Sequence, residues 1–153
     1  MILYRIDFIP LVLTMIEDSI FDDWNYYKKH IDIYGANEKY QDLYINPWEI
    51  WYVTLWKNIW TEIHGKDWFK RPVLVCKKLW SLFLCIPLTT KIKHTIFHYQ
   101  LISWRWYKPS CIIISQIRTI DKRRFLSHLD SITKEELSLM KKRLKEFYFP
   151  DAL

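Results

Sequence analysis

Two histidines, His94 and His98, stand four residues apart, the spacing at which a zinc-binding helix presents two ligands. The Glu of H-E-x-x-H is missing, and the stretch around them alternates as a strand does, so no metal site is expected. Cys76, Cys85 and Cys111 are odd in number, each lies in an apolar run, and none forms a C-x-x-C. That pattern predicts reduced, buried thiols in a cytoplasmic protein rather than disulfides or zinc. No carboxylates cluster as Mg²⁺ would require, and no cofactor is expected. The remaining chemistry is cationic. Lys91, Lys93, Lys122, Arg123 and Arg124 are either phosphate contacts or an ordinary solvated surface.

Charge divides the 153-residue chain. Residues 1–50 hold 4 Lys/Arg against 9 Asp/Glu, and residues 51–153 hold 19 against 8. The second part is the candidate functional body, with a polyanion as its natural partner; on charge alone a solvated basic face is equally open. Half the residues are apolar and 26% are charged, the balance of a folded domain. No run approaches the ~20 apolar residues of a membrane span. The nearest, residues 2–16, is interrupted by Arg5, Asp7 and Pro10 and lacks the marks of a signal peptide, so no membrane partner is expected.

The elements that must position these groups follow from periodicity. Residues 1–14 fit no template, and Met15 is a candidate start. Ile20, Trp24, Tyr27, Ile31 and Tyr34 recur at helical spacing, with Asp18 or Ser19 as cap and Gly35 as stop, predicting a helix over 19–34. A polar linker leads to Pro47, which divides an extension (1–46) from a body (47–153). Strands are predicted over 49–55, 72–77, 82–88, 95–102, 111–117 (as a central strand) and 125–129, giving an antiparallel sheet or small barrel. A last helix opens with a capping box at Thr133 and Glu136, with Ile132 and Leu137 as staple. Its apolar stripe is Leu137, Met140, Leu144 and Phe147, and Pro150 ends it.

Glycine is scarce and tryptophan abundant. A chain this long would carry about eleven glycines at ordinary usage; it has two, with nine tryptophans. Trp24 and Trp51 fall inside predicted elements, whereas Trp48, Trp56, Trp60, Trp68, Trp80, Trp104 and Trp106 fall at predicted turns and loops. Turns use glycine because it tolerates φ > 0, so these seven are expected to stand for glycine. A gene in which UGA encodes glycine, translated under another code, is one route. An aromatic surface for stacked bases is the other reading.

Three segments carry a family resemblance. The first is Trp48-Glu-Ile-Trp-Tyr-Val-Thr-Leu55, with Trp60-Thr-Glu-Ile63 after it. The second is Arg71-Pro-Val-Leu-Val75, followed by Pro87-Leu-Thr-Thr-Lys91. The third is Ser115-Gln-Ile-Arg-Thr-Ile-Asp121, running on to the last helix. Together they resemble the PemK/MazF family of toxin endoribonucleases, whose members read G-E-I-W, G-x-E-Q, R-P-x-x-V, P-x-T-[ST] and D-Q-x-R-T-x-D. Order and approximate spacing agree from residue 47 to about 148, and two family glycines fall on Trp48 and Trp60.

The resemblance implies a mainly β protein with helices: an SH3-like antiparallel barrel (PemK/MazF/CcdB-like) with a C-terminal helix, to which the N-terminal helix is added. It implies a homodimer that cleaves single-stranded RNA without a metal, checked by a cognate antitoxin through which operator DNA is bound. The acidic extension would then lie over the basic groove or mediate antitoxin binding. Arg71 matches the arginine placed against the scissile phosphate, and Thr89, with Thr90 beside it, the threonine that hydrogen-bonds it. Arg71 could instead close a loop charge, and Thr89 simply end a strand. Thr61, Glu62, Lys91, Ser115, Gln116 and Arg118 match positions lining the RNA groove, although Arg118 and Asp121 could equally form a structural pair. Ser115 replaces an Asp that many members carry, and Thr61 a frequent His or Ser, so no general base is assigned. The alternatives are a catalytically impaired member that binds nucleic acid or antitoxin without cleavage, and an unrelated small barrel.

Overall fold

The computed structural model describes residues 11–37, 39–55, 69–103 and 108–150, with backbone alone for 11–20. Helix α1 (Leu11–Tyr34) precedes seven strands: β1 (Glu49–Thr54), β2 (Lys70–Leu79), β3 (Leu82–Thr89), β4 (His98–Gln100), β5 (Cys111–Ile113), β6 (Arg118–Asp121) and β7 (Phe125–Ser131). Helix α2 (Lys134–Tyr148) follows. The strands form one antiparallel sheet in the order β4-β5-β3-β2-β1-β7, with β6 also paired to β3. Among the described residues no ladder joins the outer strands, so the sheet is not closed by hydrogen bonds.

Both faces of the sheet are buried, because successive residues of a strand point to opposite sides. Trp51, Val53, Val73, Val75, Phe83 and Phe125 build one core, and Ile50, Leu74, Ile86, Leu88 and Ile112 the other. Helix α2 joins the second through Met140, which is fully buried, with Leu144 and Phe147 at the margin. Thr133 caps α2 by accepting from the Glu136 N–H at 3.2 Å. The reciprocal half of the predicted box does not form. The Glu136 carboxylate is buried and accepts from Ile102 N–H (2.5 Å), Ser103 N–H (2.9 Å) and the Ser103 hydroxyl, stitching the segment after β4 to α2.

Other expectations shift for local reasons. Helix α1 starts eight residues before the predicted 19, so Asp18 and Ser19 lie inside it rather than at its start. Gly35 ends it as expected, with φ +78° and its N–H on Ile31 O. A Cβ there would strike the Tyr40 ring. The apolar run 111–117 is a three-residue strand, β5, one position in from the sheet edge rather than central, followed by a 3-10 turn (Ile114–Gln116). From 95–102 only His98–Gln100 pairs. Strand β6 was not predicted: four residues, Arg118–Asp121, with Ile120 alone buried.

Among the described residues, three non-glycine residues have positive φ: Trp48 (73°), Phe69 (58°) and Trp80 (60°). Two belong to the seven suspected glycine positions, while Trp24 and Trp51 are buried in regular elements. Left-handed backbone costs an L-residue about 1–2 kcal/mol. Trp80, 94% exposed at the β2–β3 turn, buries nothing to offset that cost. Trp48 differs, because it packs against the second core with the Lys141 ammonium 5.2 Å from its ring. Trp56, Trp60, Trp68, Trp104 and Trp106 lie outside the described residues.

The extension docks on the 3-10 turn Lys122–Arg124. Trp24 is fully buried, its ring 5.3 Å from Phe69, with the Arg124 guanidinium 5.6 Å away. Arg123 bonds Asp32 Oδ1 at 2.7 Å, and the Ala36 N–H donates to Arg123 O at 2.7 Å. The Asn37 amide donates to Leu126 O, and Lys122 Nζ to Gln41 O, both at 2.8 Å. Lys122 and Arg123 thus tie down the N-terminal segment. No helix among the described residues is long and apolar enough to cross a membrane.

Candidate active site

Strand β2 begins with Lys70 and Arg71, where Thr54 and Val53 of β1 pair with them. Arg71 is 7% exposed, and its Nη1 donates to Leu88 O on β3 at 2.9 Å, so the guanidinium is fixed across two strands. Burial lowers its pKa, yet an arginine stays protonated throughout the physiological range. Water is partly excluded around that charge, which strengthens its field.

The guanidinium borders a cleft of about 270 Å³ lined by Tyr52, Lys70, Arg71, Pro72, Leu88, Thr89, Thr90 and Ser110. No described lining residue is acidic. Thr89 ends β3 opposite Cys111, and its Oγ1 accepts the Lys91 N–H at 3.2 Å, a bond that does not use the hydroxyl proton. Thr90 is exposed beside it. Ser110 is buried and donates to Lys108 O at 3.2 Å. Two cationic side chains and a row of hydroxyls around one recess suit a phosphodiester.

The structure brings together Arg71, Thr89 and Thr90 of the predicted residues and adds Tyr52, Lys70 and Ser110. Lys70 was legible beside Arg71, whereas Tyr52 and Ser110 arrive through strand pairing and carry no local signal. Thr61 and Glu62 lie outside the described residues. Lys91 is exposed just beyond Thr90. Ser115 is exposed and Gln116 half-buried on the turn after β5, and Arg118 pairs with Cys85 on β6. These three do not line the cleft. Arg118 is four residues along β3 from Thr89, about 13 Å at the usual strand rise. The expected pair of Arg118 and Asp121 does not form: Asp121 accepts from Arg123 N (2.8 Å), Nε (3.0 Å) and Nη2 (3.2 Å). His98 Nδ1 lies 2.8 Å from Thr95 Oγ1, and among the described residues no three His, Cys, Asp or Glu side chains gather as a metal would need. The cysteines are free and buried, and burial pushes the Cys76 thiol up to about 12.

A larger cleft of about 580 Å³ lies between α1 and the 122–124 turn, with Lys28, Lys29, Arg123 and Arg124 facing Asp32 and Asp121. Its cations are interleaved with carboxylates, unlike those around Arg71.

The family model described as PemK-like, MazF-like toxin of type II toxin-antitoxin system matches residues 46–148. No curated protein matches the chain. Among solved structures the chain is similar to MazF (Form-I) from Deinococcus radiodurans, with TM-score 0.57, 18% identity, and 69% of this chain and 96% of that one covered. It is similar also to MazE-MazF (Form-II) from the same organism, with TM-score 0.54, 16% identity and coverage of 71% and 98%. A third is an endoribonuclease in complex with its cognate antitoxin from Mycobacterial species, with TM-score 0.54, 11% identity and coverage of 68% and 94%. At these identities the structures speak for the fold, and the family model speaks for kinship. The chain belongs to the PemK-like, MazF-like family of toxins of type II toxin-antitoxin systems.

Proposed function

We propose that the protein is an endoribonuclease that cuts single-stranded RNA without a metal, with the phosphate at the Arg71 cleft. The observation that carries this reading is a buried, cross-strand arginine beside Thr89 in a cleft with no described acidic lining. The RNA's own 2′-OH attacks phosphorus, the O2′–P bond forms, and the P–O5′ bond breaks. Arg71 stabilises the charge that builds on the phosphorane, and Thr89 donates to a nonbridging oxygen. The 2′-OH proton passes to water and O5′ takes a proton from water, leaving a 2′,3′-cyclic phosphate and a 5′-hydroxyl. Lys70 and Lys91 draw in the backbone, Ser115, Gln116 and Arg118 belong to the wider RNA surface, and Thr61 and Glu62 are further RNA contacts that the family resemblance implies.

The working unit is residues 47–153, held in check by a cognate antitoxin, with residues 1–46 as an extension. The MazF structures solved with MazE support an antitoxin partner. A homodimer, operator DNA reached through the antitoxin, and a cytoplasmic site of action complete the reading. Ser115, where many members of the family carry Asp, favours one rival, a member that binds RNA or antitoxin without cutting. Labelled single-stranded RNA incubated with the protein in excess EDTA separates them. Cleavage that Arg71→Ala abolishes supports the enzyme, and salt-sensitive binding of RNA that stays whole supports the rival.

A further inference from the structure

Phe69 sits with φ +58°, a conformation phenylalanine rarely adopts, two residues before Arg71. Strain of this kind persists where the surroundings over-determine it, and it gathers at functional sites. Two contacts hold Phe69 here. Its carbonyl accepts the Leu55 N–H at 2.7 Å, which continues the β1–β2 ladder past Thr54 and Lys70. Its ring meets the Trp24 indole edge to face, at 5.3 Å and 64°.

Trp24 comes from α1, which the family match at residues 46–148 does not include. It is fully buried, and it also touches the Arg124 guanidinium. Arg124 reaches back to the same strand end: its Nη1 donates to Thr54 O, and the Thr54 hydroxyl donates to Arg124 O, both at 3.4 Å. Thr54 is itself fully buried and pairs with Lys70. The indole therefore closes a ring of contacts running Phe69, Leu55, Thr54, Arg124. Each joins the end of β1 or the start of β2, where Lys70 and Arg71 enter the cleft.

We infer that α1 is a working part of the cleft, with Trp24 as a positioning residue that holds strained Phe69 and thereby sets the direction in which Arg71 leaves β2. The inference rests on the reading of the Arg71 cleft as the site of cleavage. The extension is not a passive tail, because the anchors around it (Arg123 on Asp32, Ala36 on Arg123 O) keep the indole seated. Loosening α1 lowers turnover more than it lowers RNA binding, since Lys70 and Lys91 remain to attract the backbone while the guanidinium loses its aim.

The test uses the full chain with Trp24→Ala and the conservative Trp24→Phe, well below their melting temperatures. The expected result is a kcat for RNA cleavage at least ~10-fold lower in Trp24→Ala, with KM within about twofold, and most of the rate restored in Trp24→Phe. A second readout needs no cleavage. Amide exchange at Leu55 and Arg71 accelerates at least ~10-fold in Trp24→Ala while Leu88 and Ile112 keep their protection. Unchanged kcat and unchanged exchange at Leu55 and Arg71, or losses spread evenly over the sheet, overturn the inference. If the unaltered chain cuts no RNA, the endoribonuclease reading falls, and the exchange pattern alone still decides whether Trp24 governs the start of β2.

Discussion

Arg71 and Arg123 carry the same guanidinium in opposite settings. Arg123 is partly exposed between two carboxylates: bonding to Asp121 raises its pKa despite some desolvation, and Asp32 adds to the effect. Arg71 is buried, its pKa falls with desolvation, and it bonds the Leu88 carbonyl on the neighbouring strand. A carboxylate-paired arginine ties two pieces of chain together. An arginine held on a carbonyl across two strands is instead fixed at the border of a cleft. Residue type and local sequence do not distinguish the two; the neighbours do.

The sharpest way to break the contrast is to remove each arginine. Arg71→Ala should lower RNA cleavage by ~10²-fold or more, as loss of one transition-state donor does elsewhere. It should also destabilise the fold by about 1–3 kcal/mol, because Leu88 O is left buried without its donor; urea denaturation measures this. Arg71→Lys restores charge without the planar fork, so it should recover folding better than rate. Thr89→Ala comes next, with an expected loss of about tenfold or more in kcat, since a hydrogen bond to a charged group is worth about 1.5–3 kcal/mol.

Trp80→Gly should raise stability by about 1 kcal/mol, the left-handed penalty of an indole that buries almost nothing. Trp48→Gly is the sharper control. It relieves the same backbone strain but gives up the packing against the second core, so its gain should be smaller. Codons settle the origin: UGA at Trp48 and Trp80, with UGG at Trp24 and Trp51, is the expected pattern.

Arg123→Ala should cost less than about 1 kcal/mol, an effect that shrinks with added salt, because its ion pair with Asp32 is exposed. Acid acts on the same tie. Burial pushes the Asp121 carboxyl up, but the Arg123 bonds and charge outweigh it and hold it below its ordinary value. A depressed carboxyl contributes stability that is full above its unfolded pKa of about 4 and is lost as pH falls through the lower folded value. Asp121→Asn should therefore flatten the decline of stability below about pH 4, measured by denaturant midpoint against pH.

Much of the fold was legible because β1, β2 and β3 are short runs rich in apolar and β-branched residues and Thr133 begins α2 as predicted. What escaped depended on contacts distant in sequence. Strand β6 exists because Arg118–Asp121 lies along β3, a pairing that a polar four-residue segment does not announce. Glu136 reads as half of a capping box, yet its carboxylate is taken by Ile102 and Ser103, 34 and 33 residues earlier. The site followed the same rule. Arg71 and Thr89 were legible as motif residues, but their meeting depends on β2 pairing with β3. Lys122 and Arg123 read equally as phosphate contacts or as solvated charge, because their partners Gln41 and Asp32 lie 81 and 91 residues away.

The central claim is that the substrate supplies its own nucleophile at the Arg71 cleft. It is tested most directly with a single-stranded RNA and its counterpart carrying one 2′-deoxy residue at the cleaved position, both in excess EDTA. The account predicts that the RNA yields a 2′,3′-cyclic phosphate and a 5′-hydroxyl, while the 2′-deoxy strand is bound and stays whole. Cleavage of both strands, or a 5′-phosphate on the product, would contradict it.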